Sequence, residues 1–221
     1  IKQEVIGISG LFIAKKRYGM KIINDNGVEV NKIMVKGIDT VRSNFPPMCG
    51  KLLKEVLDDV LADVPKEKID ERILNFKTSM NRLPIDGISM PTGIKSLVKY
   101  VEPKTENQKF TTFKSGAPIH VKSAVNYNDL LLHFEVSKQY LLISSAEKIK
   151  WVYLTKNPLG IESLAYKGYE DPKEILQYIR DYIDYEKMYD KNLHRKIMMF
   201  YEAMGWSEPV DKNFTLERFF W

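Results

Sequence analysis

The hydrophobic period changes at Phe45-Pro46-Pro47. Before it, apolar residues tend to alternate with polar ones, as in strands with one wet face. Residues 11–23 read as one strand, Asp25-Asn26-Gly27 as a hairpin turn, and 28–38 as the return strand, where Val28, Val30, Met34 and Ile38 alternate imperfectly. Two adjacent prolines fix φ and withhold two amide donors, so neither a sheet nor a helix runs through them. Beyond them Leu52, Leu53, Val56, Leu57, Val60 and Leu61 recur at i, i+3, i+4 spacing, and 48–63 is an amphipathic helix. The chain is therefore expected to be α+β: short antiparallel strands, then a mainly helical domain with a small β element.

Further elements follow by the same logic. Pro65 opens a helix over 66–77. A short helix is expected near 93–100 and a longer one over 118–134. The alternating, β-branched and aromatic run 148–155 is a strand, and Asn157-Pro158-Leu159-Gly160 a turn. Asp171-Pro172 caps and starts a helix over 172–180, and a single helix over 184–204 ends at Gly205. This gives three parts: 1–46, 47–210 and a terminal 211–221.

Charge is unevenly spread. Residues 1–50 hold eight Lys/Arg and four Asp/Glu, a net +4 of the total +5. An anion-facing surface is expected there. The single cysteine, Cys49, allows no internal disulfide and fits a reducing compartment. No run of eighteen apolar residues calls for a membrane. The sequence opens on Ile1 within an apolar pattern, as expected of a piece of a larger protein.

Catalytic groupings are wanting. His120, His133 and His194 stand far apart, with no partner at metal-ligand spacing. Asp58-Asp59 reads as a solvated helix face. Gly7 and Gly10 lack the spacing and following helix of a phosphate loop, and no serine sits in a nucleophile elbow. No metal site and no cofactor are expected in this chain.

The first fifty residues carry Lys15-Lys16-Arg17-Tyr18 within the apolar stretch FIAKKRYGMKI. On a strand, Lys16 and Tyr18 would share one face, and Lys15 and Arg17 the other. One reading is a sheet edge guarded by lysines, as in a non-catalytic protein-interaction domain. The other is a sheet laid along nucleic acid, where cations meet phosphates and a tyrosine donates its hydroxyl to the backbone. A small complete nucleic-acid enzyme would need an active-site grouping that the sequence does not offer.

KKRY, the hairpin, and then VKGIDTVRSNFPP resemble the end of the palm of family B DNA polymerases, where a KKxY strand touches the duplex near the primer terminus. The resemblance continues in series. PIHVKSAVNYN (118–128) is similar to a thumb segment of that family, and so is NPLGIESLAY (157–166). Residues 182–206 resemble the terminal thumb helix of the T-even-phage type. The resemblance implies that 1–46 is the palm's end and 47–210 the thumb, hinged near Phe45-Pro46-Pro47. It implies primer-template contacts by Lys15, Lys16, Arg17 and Tyr18, and weaker ones by Lys21, Lys36 and Arg42. In the thumb it implies His120, Lys122 and Tyr127, with a core role open for Tyr127 and a structural one for His120; Lys114 joins them on charge alone. Neither aspartate motif of that family, D-x-x-S-L-Y-P-type or D-T-D-S, occurs in this sequence. The fragment is thus expected to lack nucleotidyl transfer, and the Mg2+ of the full-length polymerase to be held elsewhere. The phage-like character points to the host cytoplasm.

The tail NFTLERFFW has its own logic. Leu216, Phe219 and Phe220 would line one face of a single helical turn, able to plug a hydrophobic pocket, with Trp221 behind them. It resembles a sliding-clamp-binding peptide, with Asn213 where a glutamine is usual. The plain alternative is a terminal segment docked on its own core. The expected partners are primer-template DNA and a sliding clamp.

Overall fold

Three antiparallel strands begin the chain in a computed structural model that describes residues 4–40, 43–105 and 108–210. In chain order the elements are β1 (Val5–Ala14), β2 (Arg17–Asp25), β3 (Val28–Lys36), α1 (Pro47–Leu61), α2 (Lys66–Ser79), α3 (Ile85–Ile88) and β4 (Met90–Gly93). There follow α4 (Ile119–His133), β5 (Lys148–Tyr153), β6 (Ser163–Tyr166), α5 (Lys173–Tyr182) and α6 (Tyr185–Tyr189). A π-helical turn (Asp190–His194) leads into α7 (Arg195–Met204). The mixture of helices with antiparallel sheets is the α+β class that the change of period predicts. Two compact units result, Ile1–Leu83 with Tyr189–Trp221, and Pro84–Met188. Phe45-Pro46-Pro47 falls inside the first.

The first unit is a sheet of order β1-β2-β3 backed by α1 and α7, with α2 packed on α1. Pro47 occupies the first turn of α1, where its missing amide costs nothing. That helix buries Leu52, Leu53, Val56 and Leu57 completely or nearly so. A Cβ on Gly19 would stand 2.7 Å from Leu57 Cδ1, so α1 lies this close to β2 only because the strand bears no side chain there. Ser9 Oγ donates to the Leu61 carbonyl at 2.8 Å, tying β1 to the last turn of α1. From α2 come the buried Ile69 and Ile73, from α7 Ile197, Phe200 and Tyr201. Each such side chain contributes about 1.5–3 kcal/mol by leaving water. The Tyr201 hydroxyl donates to Asp70 of α2, which also accepts from Lys66. Gly205, at φ +67°, closes α7 in the left-handed cap expected of it.

The second unit is a sheet of order β4-β5-β6 with α4 packed across β6. Asn126 Nδ2 donates to the Ser163 carbonyl at 2.8 Å. Asp129, 5% exposed, accepts from the Thr111 amide at 2.6 Å and pairs with Lys104 at 3.0 Å, pinning the loop before α4. Asn157 organises the expected turn, donating to the carbonyls of Thr155 and Ile161 at 2.8 and 2.6 Å.

Three expectations need correction. Residues 11–23 are not one strand: β1 and β2 meet at a turn made of Lys15 and Lys16, with Ala14 paired to Arg17. Such turns are usually signalled by glycine or asparagine. Here Lys16 itself takes the left-handed conformation, φ +66°, and leaves no such mark. The helix expected near 93–100 is instead the edge strand β4 and a 3₁₀ turn at Val98–Tyr100; Pro91 is tolerated because β4 has a neighbour on one side only. The single helix over 184–204 is interrupted by the π-turn, where Leu193 is fully buried. Strand β6 escaped notice because all four of its residues are buried, which removes the alternation.

Candidate nucleic-acid interface

The turn between β1 and β2 sets the geometry of the cationic cluster. Lys15 and Lys16 form its tip and Arg17 begins β2; all three are exposed. The tip is braced from β3: a Cβ on Gly37, which has φ +69°, would lie 2.2 Å from the Lys16 carbonyl oxygen. Only glycine permits both that approach and that φ.

Register assigns the faces. Phe12, Tyr18 and Lys36 stand opposite one another across the three strands and so share a face, followed by Gly10, Met20 and Met34. The Phe12 and Tyr18 rings are 5.8 Å apart, Phe12 is 64% exposed, and Lys36 is exposed beside them. Gly19 and Lys21 point to the other face, where α1 packs; Lys21 is half-buried. Arg17 also leaves the Tyr18 face. Its Nη1 lies 3.8 Å from Met199 Sδ on α7, and it lines a small cavity of about 70 Å³ with Gly37, Asp39, Lys196 and Met199. The structure thus brings Lys15, Lys16, Tyr18 and Lys36 together and turns Arg17 and Lys21 aside. The pairing of faces expected for a continuous strand does not hold.

Charge runs along this sheet. Lys15, Lys16 and Lys36, near the tip, form no ion pair among the described residues. Glu4, Asp25 and Glu29 gather at the opposite end, where the Lys32 ammonium, 2.7 Å from Asp25, holds that carboxyl below the usual range. The tip is left with positive potential.

In the second unit the expected residues lie on and before the first turns of α4. The Ala117 amide donates to the Lys114 carbonyl at 3.2 Å, a turn that leads directly to Pro118 and the helix. Lys114 is exposed. Burial holds the His120 imidazole below the usual histidine range, so at neutral pH it offers a hydrogen bond rather than a charge. Lys122 is paired with Glu162 at 2.8 Å. Tyr127 is 1% exposed, and burial and the Asp171 carboxylate push its hydroxyl well above the usual tyrosine range, which favours the core role left open for it.

Arg42, and the tail residues Asn213, Leu216, Phe219, Phe220 and Trp221, lie outside the described residues. Lys196 and Asp129 were not singled out from sequence, and Gly37 and Asp39 stood only within the quoted run VKGIDTVRSNFPP, with no site role of their own. Among the described residues no three of His, Cys, Asp and Glu converge as metal ligands, so they offer no cage for a divalent ion. No described helix is long and apolar enough to cross a membrane.

Comparison with known proteins identifies the family. The family model described as DNA polymerase family B matches residues 1–204. The DNA-directed DNA polymerase of Enterobacteria phage T4 is 23% identical over 203 residues, which cover 90% of this chain and 21% of that protein. The chain therefore spans about a fifth of the length of that relative.

Proposed function

The chain belongs to DNA polymerase family B, and on that premise we propose that it is the duplex-holding part of a DNA-directed DNA polymerase, acting in replication by grip rather than by chemistry. The hairpin sheet closes the palm, and the helices and second sheet form the thumb. Nucleotidyl transfer and its Mg2+ are assigned to other parts of the parent enzyme, since the sequence lacks both aspartate motifs.

The observation that carries this reading is the exposed pair of ammonium groups on a braced turn, beside an exposed face bearing Tyr18, Phe12 and Lys36. Held there, Lys15 and Lys16 displace counterions from a phosphate backbone without reading bases. A lysine-guarded edge accounts for them less well. Arg17 and Tyr18 lie on β2, the central strand, and Lys15 and Lys16 lie on no strand at all. In α4 and the turn before it, Lys114 and His120 serve as secondary contacts at a helix start, where backbone amides also favour phosphate.

The test is primer-template binding of the 221-residue chain across a salt series, against Lys15→Ala/Lys16→Ala. Losing two phosphate contacts lowers the steepness of log K against log salt by about two. An unchanged slope removes the assignment.

We also propose that residues 211–221 dock on a sliding clamp through Leu216, Phe219 and Phe220, on the strength of the residue pattern. The affinity of the peptide alone is modest, and DNA held by the same chain raises its effective concentration at the clamp. Truncation after residue 210 abolishes capture of the chain by clamp-loaded DNA and leaves binding to naked primer-template intact; equal capture with and without the tail would refute the docking.

A further inference from the structure

The last helix reaches back to the turn that carries the cationic tip. Lys196, on α7, donates to Asp39, 157 positions earlier in the chain. Both side chains are largely sheltered, 28% and 16% exposed. The same ammonium stands 5.0 Å from the centroid of the Phe45 ring, just before α1. Two residues before Asp39, Gly37 presses against the Lys16 carbonyl. Three residues beyond Lys196, Met199 Sδ meets Arg17 Nη1. Ile13, Arg17, Gly37, Ile38 and Asp39 line one small cavity together with Lys196, Met199 and Phe200.

We infer that Lys196 is a positioning residue for DNA grip: its ammonium, paired with Asp39, locks the Gly37–Thr40 segment against the Lys15-Lys16 turn. The physical ground is the arrangement of sheltered charge. Asp39 follows β3 by three residues, in a stretch where no regular hydrogen-bonding ladder holds the backbone. A carboxylate shielded from water favours geometries that keep a cation close. Gly37, by contrast, has no side chain with which to anchor itself, so its stand against Lys16 depends on its neighbours. Lys196 touches no DNA in this scheme. It acts through Asp39 and Gly37 on the orientation of two lysines that do.

The inference rests on the proposed grip by Lys15 and Lys16, so its test separates the two. Primer-template affinity of the chain is measured at fixed salt for Lys196→Met, for Lys15→Ala/Lys16→Ala, and for the triple variant, with urea midpoints taken alongside. Lys196→Met is expected to weaken binding about five- to tenfold in the native background and by less than about twofold once the two lysines are gone, because residues acting as one unit are not additive. Lys196→Arg, which keeps the charge, restores most of the affinity. A merely structural lysine would lower the urea midpoint and weaken binding by the same factor in both backgrounds, and that result overturns the inference. So does wild-type binding by Lys196→Met. If Lys15→Ala/Lys16→Ala binds like the wild type, the grip reading fails instead. Should Lys196→Met not fold, Asp39→Asn breaks the same pair from the other side with almost no change in volume, and the same comparison decides.

Discussion

A lysine at φ +66° is an uncommon choice for a tight turn. The left-handed conformation costs a lysine roughly 1 kcal/mol relative to glycine, whose backbone adopts it freely. Strain of this kind persists where the surroundings impose it and the side chain has a use. Here Gly37 supplies the constraint, and the ammonium, exposed at the tip, is the use. Lys16→Gly is therefore expected to raise stability by about 1 kcal/mol in urea denaturation while lowering primer-template affinity severalfold. A variant that is both more stable and equally tight in binding would show that the residue is there for some other reason. Nothing in the sequence warned of this turn. KK carries no turn signal, and the apolar pattern runs on smoothly from Phe12 to Met20.

At the level of elements, much was legible. The helices α1, α2, α4 and α5 and the strand β5 lie within a few residues of where periodicity and proline placed them. Their signals are local. What escaped was set by tertiary neighbours: the buried β6, the edge strand β4, and the split of the first strand into two. The candidate contacts were legible as residue types but not as a surface. Tyr18 and Lys36, eighteen positions apart, meet only through strand register. Arg17 is expected to contact DNA beside Tyr18 from the KKRY resemblance, yet register and α7 turn it away from Tyr18. The π-turn at Asp190–His194 was also invisible, because one extra residue in a helix leaves the local pattern almost intact. It absorbs that residue without rotating the turns that follow. Inserting one alanine after Arg195, within the regular part of α7, is expected to swing the following turns by about 100°, parting Lys196 from Asp39. Helical circular dichroism should persist while binding to primer-template drops to the level of Lys196→Met; undiminished affinity would show that the phase of α7 does not matter to grip.

At the level of the whole molecule, the two units are not successive stretches of chain. Residues 84–188 fold among themselves, whereas the first unit draws its sheet from the beginning of the sequence and α7 from the end. The positive tip and its brace thus depend on segments separated by 157 positions, and by the 105 residues of an entire second unit. A chain made from its amino end at about 5–20 residues per second meets this arrangement in a fixed order. The inserted lobe can complete its core while the ribosome is still adding residues. The hairpin must wait, its α7-facing side open, until the final helix clears the exit tunnel. The part read as the DNA-gripping surface then matures after the inserted unit, and a nascent polypeptide cut short before α7 does not acquire it.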